Sequence, residues 1–88
     1  MQSSETVEMI SVCDVEGRFQ PLRFRYTDPE GGLQTVRVLE VLSRQEIRYV
    51  NVEAYVFVCR GLVEGREQLL QVRYSIRAHR WELFRRIY

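Results

Sequence analysis

Three observations predict an all-β fold, a small antiparallel five- or six-stranded barrel or sandwich with at most one short helical turn. Apolar residues alternate with period two through most of the chain. Clusters of Gly, Pro and Asp separate the alternating runs at the spacing of hairpin connections. The chain has 88 residues, enough for one hydrophobic core and too few for two. In so short a chain, closure into a barrel removes the edges an open sheet would expose.

The elements follow in order. Residues 1–5 read as a disordered N-terminal tail and residues 6–88 as a single β domain. Val7–Cys13 alternates as a first strand and ends at Asp14-Val15-Glu16-Gly17, whose glycine suits a turn with positive φ. Pro21–Thr27 sets Leu22, Phe24 and Tyr26 on one face and Arg23 and Arg25 on the other, with Pro21 at the start, where a missing N–H does least harm. Asp28-Pro29-Glu30-Gly31-Gly32 is the strongest reversal signal. Leu33–Leu42 has Val36, Val38 and Leu42 on one parity but Leu39 and Val41 on the other, the pattern of a central, bulged or curved strand.

Ser43-Arg44-Gln45-Glu46 fits a capping box, in which the serine oxygen and the glutamate satisfy early helical N–H groups. One helical turn and a plain loop are both compatible with it. Glu53–Arg60 is apolar on both faces and is expected to be a central, covered strand. Gly61–Arg66 reads as the next reversal. Gln68–Ile76 then places Leu70, Val72, Tyr74 and Ile76 inward and Gln71, Arg73 and Ser75 outward. Arg77–Arg80 connects to a last strand, Trp81–Tyr88. By this parity Leu22, Phe24, Tyr26, Val56, Val58, Leu70, Val72 and Trp81 form the expected core.

All 13 basic residues are arginine. The absence of lysine removes Schiff-base chemistry and the phosphate-loop lysine, and leaves a planar fork suited to carboxylates, phosphates and aromatic faces. A compositional preference for arginine would give the same excess. The charge is uneven: residues 1–59 carry six arginines against nine acids, a net −3, and residues 60–88 carry seven against three, a net +4. Such an asymmetry suits an anionic partner, or two copies facing each other with complementary charge.

Cys13 and Cys59 each end an alternating run, where a thiol behaves as a small buried hydrophobe, so a reduced and unreactive pair is expected. With two cysteines and one histidine, a zinc site would have to recruit carboxylates, and no metal or cofactor is expected. His79 has no nucleophile and orienting acid at any recognisable spacing, the carboxylates are scattered, and neither Gly31-Gly32 nor Gly61–Gly65 leads into a helix. The chain is therefore not expected to be an enzyme. The opening residues lack the basic and apolar regions of a secretory signal, and no apolar run nears the ~18 residues of a membrane helix; a cytoplasmic, non-membrane protein is expected.

One segment is a candidate functional surface. From Arg73 to Tyr88, basic and aromatic side chains interleave, the combination that holds single-stranded nucleic acid when arginines track phosphates and rings stack on bases. The nucleic-acid-binding candidates are Arg73, Arg77, Arg80, Arg85 and Arg86. The same residues also read as core (Tyr74, Trp81, Leu83) beneath a solvated arginine face, and Tyr74 falls on the opposite parity from Arg73 and Arg77. Arg85 and Arg86 are adjacent and point to opposite faces of a strand. The alternative partner is protein: a homodimer or other association through an edge strand or through complementary charge.

Pro21-Leu22-Arg23-Phe24-Arg25-Tyr26, Val38-Leu39-Glu40-Val41-Leu42-Ser43-Arg44, Tyr55-Val56-Phe57-Val58-Cys59-Arg60 and Tyr74 with Arg80-Trp81-Glu82-Leu83-Phe84 together resemble a family of short, uncharacterised, cytoplasmic β-rich proteins from Gram-positive bacteria. The resemblance spans roughly residues 9–86. It implies a stand-alone small β domain and brings no catalytic or binding residue with it.

Overall fold

Six strands follow one another as a simple meander in the computed structural model, which describes residues 5–86, with side chains through Phe84. They are β1 (Glu5–Cys13), β2 (Phe19–Thr27), β3 (Leu33–Tyr49), β4 (Val52–Val63), β5 (Arg66–Ser75) and β6 (Arg80–Arg86). Each pairs antiparallel with the next, and β6 returns to β1 to close a barrel. The closing ladder is short: Glu5↔Leu83, Thr6↔Glu82 and Val7↔Trp81. Glu5, assigned to the tail by sequence, is thus the first rung of the closure; the rest of that expected tail lies outside the described residues.

Alternation fills the barrel as period two requires. Val7, Phe24, Tyr26, Val36, Phe57, Cys59, Val63, Leu70, Val72, Trp81 and Leu83 form one buried cluster. On β4 the opposite parity is covered as well, with Ala54 and Val56 buried on the outer wall, as the doubly apolar sequence of that strand anticipates.

Two of the connections share one device. In Asp14-Val15-Glu16-Gly17 and in Asp28-Pro29-Glu30-Gly31, the aspartate carbonyl accepts from the glycine N–H three residues on (3.0 Å in both), while Oδ1 accepts from the following Glu N–H (2.9 Å in both). Gly17 and Gly31 take the left-handed φ that closes each reversal, +84° and +87°. The backbone N–H of Arg18, more than any other group, holds the Asp14 carboxyl below its ordinary range.

Four expectations are corrected. Ser43–Glu46 is strand, neither helical turn nor loop: it pairs with β4 from Ser43↔Val58 to Glu46↔Tyr55, and a long neighbouring strand outweighs a local cap. Gly61-Leu62-Val63 belongs to β4, because the reversal is confined to Glu64 and Gly65, whose φ values of 51° and 78° make a two-residue hairpin turn. Gly61 marks close packing instead, since a Cβ there would lie 2.7 Å from Leu70 Cδ1 and 3.0 Å from Val36 Cγ1. Leu22 is 44% exposed. The β1–β2 register passes from Ile10↔Arg23 to Ser11↔Pro21 and leaves Leu22 as the extra residue of a bulge, so parity flips there and Pro21 becomes the buried side chain. Finally, Cys13 is exposed at the end of β1 while Cys59 is fully buried, so the thiols are not an equivalent pair.

The bulges also shape one end of the barrel. The β2–β3 ladder runs from Thr27↔Leu33 only to Arg23↔Arg37, whereas β3 continues along β4 as far as Tyr49↔Val52, with register shifts between Val38 and Glu40 and between Val41 and Ser43. Strands β2 and β3 therefore splay apart. Phe19 leans across the resulting mouth, its ring edge-to-face with Tyr55 (5.3 Å), Tyr74 (5.0 Å) and Trp81 (6.1 Å).

Candidate nucleic-acid interface

The predicted surface divides along the parity of β5 and β6. Tyr74 and Trp81 face inward and pack on each other at 5.2 Å beneath Phe19, so they are core and cannot stack on a base beside the arginines. The outer wall keeps Arg73, whose guanidinium lies 4.0 Å above the Phe84 ring; its Nε is covered and has no hydrogen-bond partner among the described residues. Phe84 is the extra residue where the register passes from Val72↔Leu83 to Gln71↔Arg85.

Arg73 and Arg77 line one shallow cleft with Asn51, Val52, Glu53, Ala54, Ser75 and Glu82. Its end is built by two turns tied together. The Ile76 N–H donates to the Glu53 carbonyl at 2.9 Å, and Arg77 Nη1 donates to Asn51 Oδ1 at 3.5 Å. Arg80 is exposed on β6 opposite Ser75. Arg85 and Arg86 pair through their backbone with Gln71 and Leu70, and their side chains lie outside the described residues. The structure thus brings Arg73 and Arg77 to one cleft and sets Arg80 on the next strand.

Sequence reasoning missed the other half of this end. Tyr49, 72% exposed, stands beside the two-residue turn Val50–Asn51, where Asn51 takes φ 68°. The signal was present in an asparagine between two β-branched runs, since asparagine tolerates left-handed backbone. His79 is also a left-handed turn residue (φ 55°); it is exposed, and its Nδ1 is 3.4 Å from the Tyr74 hydroxyl.

Of the arginines elsewhere, four are neutralised. Arg18 meets Asp14 and Glu16, Arg25 meets Glu8, Arg48 meets Glu46 and Glu53, and Arg60 bridges Glu67 at 2.6 Å and Glu40 at 3.3 Å. The bond to Glu46 raises the basicity of Arg48, and the bond to Glu67 that of Arg60. By contrast, Arg23, Arg37, Arg66, Arg77 and Arg80 make no ion pair among the described residues. No group of three or more His, Cys, Asp or Glu side chains there is arranged to hold a metal ion.

Fold and surface together define a class: a closed six-stranded up-and-down β-barrel with a packed interior, whose available chemistry lies on its outer wall. No family model matches the chain, and no curated protein or solved structure is similar to it at a significant level. No helix among the described residues is long and apolar enough to cross a membrane.

Proposed function

We propose that this barrel is a non-enzymatic binding module of the cytoplasm that holds single-stranded nucleic acid along the outer wall of β5 and β6. The supporting observation is the grouping of unpaired arginines on this wall: Arg73 and Arg77 share one cleft, Arg80 is exposed on the neighbouring strand, and none of the three has an ion-pair partner among the described residues. Exposed guanidinia without counter-charge attract phosphates. Tyr49, on the turn joined to Arg77 through Asn51, supplies the ring that Tyr74 and Trp81 cannot. Glu53 and Glu82 also line the cleft and direct an anion toward the exposed Arg77 and the neighbouring Arg80. The exposed thiol of Cys13 suits a reducing compartment.

Fluorescence anisotropy with labelled single-stranded DNA and RNA across a salt series tests the reading. Affinity is expected to fall with salt, and changing Arg77, Arg80, Arg85 and Arg86 together to Ala is expected to flatten the slope by about 0.7 per lost phosphate contact. No binding at low salt overturns it.

A second reading is favoured by the splay of β2 from β3. The edge of β3 beyond Arg37 has no strand partner among the described residues, and an unpaired edge recruits another strand. On this reading the domain self-associates.

A further inference from the structure

We propose that β3 is the seat of a two-fold dimer, in which the Ser43–Tyr49 stretches of two copies pair antiparallel about Gln45 and each Arg44 meets Glu46 of the second copy. The proposal rests on the self-association reading and fixes its partner and register. Along Ser43–Tyr49 the ladder to β4 runs without a shift, from Ser43↔Val58 to Tyr49↔Val52, while both bulges of β3 lie before Ser43. This is the regular part of the open edge, the part able to accept another strand. Exposed Leu39 and Leu42 flank it on the same strand.

Charge selects both occupant and register. Arg44 and Glu46 stand opposite Phe57 and Tyr55 and so share one face of β3. Within the chain Glu46 is engaged by Arg48, which also faces Glu53 at 4.0 Å, whereas Arg44 lies over the Tyr55 ring at 4.8 Å with no carboxylate partner among the described residues. An antiparallel pairing centred on Gln45 sets Arg44 against Glu46 twice. Centring on Arg44 or on Glu46 sets like charges opposite each other, which destabilises a sheet. Centring on Ile47 sets Glu46 against an Arg48 that already has carboxylates and leaves Arg44 without one. Of the two registers of this stretch that set unlike charges opposite each other, the one centred on Gln45 gives Arg44 a carboxylate, and a second copy of this chain is the occupant.

Sedimentation and cross-linking test the two parts separately. At high micromolar concentration the protein is expected at twice the 10.6 kDa chain mass. In a Cys13→Ser background, Gln45→Cys is expected to form an intermolecular disulfide on mild oxidation at least about tenfold faster than Glu30→Cys, because Cα atoms directly opposite in an antiparallel pair lie within disulfide reach. Arg44→Glu is expected to give a folded monomer by circular dichroism and sedimentation, and adding Glu46→Arg to restore the dimer. A wild-type monomer overturns both the reading and the register. A dimer in which Gln45→Cys is no faster than Glu30→Cys, or in which Ile47→Cys is faster, overturns the register and leaves self-association standing.

Discussion

Around the girdle of the barrel, Phe24, Val36, Phe57, Leu70 and Val72 are sealed between strands with hydrogen-bonded neighbours on both sides, whereas at the mouth β2 and β3 part after Arg23↔Arg37 and apolar side chains such as Leu22, Leu39 and Leu42 reach solvent. The β4–β5 ladder that crosses the girdle holds one register from Ala54↔Ser75 to Val63↔Arg66. The bulges of β1–β2 and β3–β4 gather toward the mouth. Along β2 and β3 the register shifts coincide with the outward release of Leu22, Leu39 and Leu42, whereas the shift of β5 against β6 at Val72 leaves the core sealed.

The contrast is broken most severely from the girdle side. Phe57→Ala removes a fully buried ring from the strand that touches both β3 and β5, and a loss of about 3–5 kcal/mol is expected in urea unfolding. A loss below about 1 kcal/mol would mean the girdle is not the seat of stability. Gly61→Ala forces a Cβ against Leu70 and Val36 and is expected to cost about 1–3 kcal/mol. An unchanged urea midpoint would show that β4 can move aside.

Smaller effects sharpen the mouth. Phe19→Ala deletes the edge-to-face contacts with Tyr55, Tyr74 and Trp81, and about 1–2 kcal/mol is expected, together with a changed near-ultraviolet circular dichroism signal from those rings. Stability unaffected by that change would show that the β1–β2 hairpin does not hold the mouth closed. Leu22→Ser, at the bulge, is expected to stay within about 0.5 kcal/mol of wild type, the range of an exposed position.

The two thiols report the same division. Cys13 is expected to react with a thiol reagent in the folded protein and Cys59 only on unfolding. Burial pushes the Cys59 thiol up to about 11, so the unfolded chain loses that proton first as pH rises. The stability contributed is complete below the ordinary thiol range, declines above it, and is lost past about 11. Urea midpoints against pH for wild type and Cys59→Ala measure the difference; parallel curves would show that the thiol is not sealed.

Much of the girdle was legible because burial on one face of a strand is a period-two property. Phe24, Tyr26, Leu70, Val72 and Trp81 fall on the expected parity and are buried, and Val56 is buried on the outer wall where β4 reads as apolar on both faces. Leu22 broke the pattern through one inserted residue, which inverts parity without leaving a mark in composition. Val58 is only half-buried, because covering an outer face depends on which neighbours lie beside it. The arginine excess on β5 and β6 was legible as charge, but its separation from Tyr74 and Trp81, and the link of Arg77 to Asn51, depended on strands brought together from distant parts of the chain.

By itself the sequence determined the all-β class, six strands in outline with the third ended too early at Leu42, the Asp-x-Glu-Gly reversals and the arginine-only basic surface, since each is written in spacings of a few residues. Only the tertiary structure decided that β3 runs on through Ser43–Glu46, that Gly61 marks a close approach, that Phe19 spans the mouth, and which arginines find carboxylates. The physical reason is range. Alternation and turn chemistry act between residues near in sequence, whereas bulges, ion pairs and open edges are fixed by the partner strand, and that partner exists only once the barrel has closed.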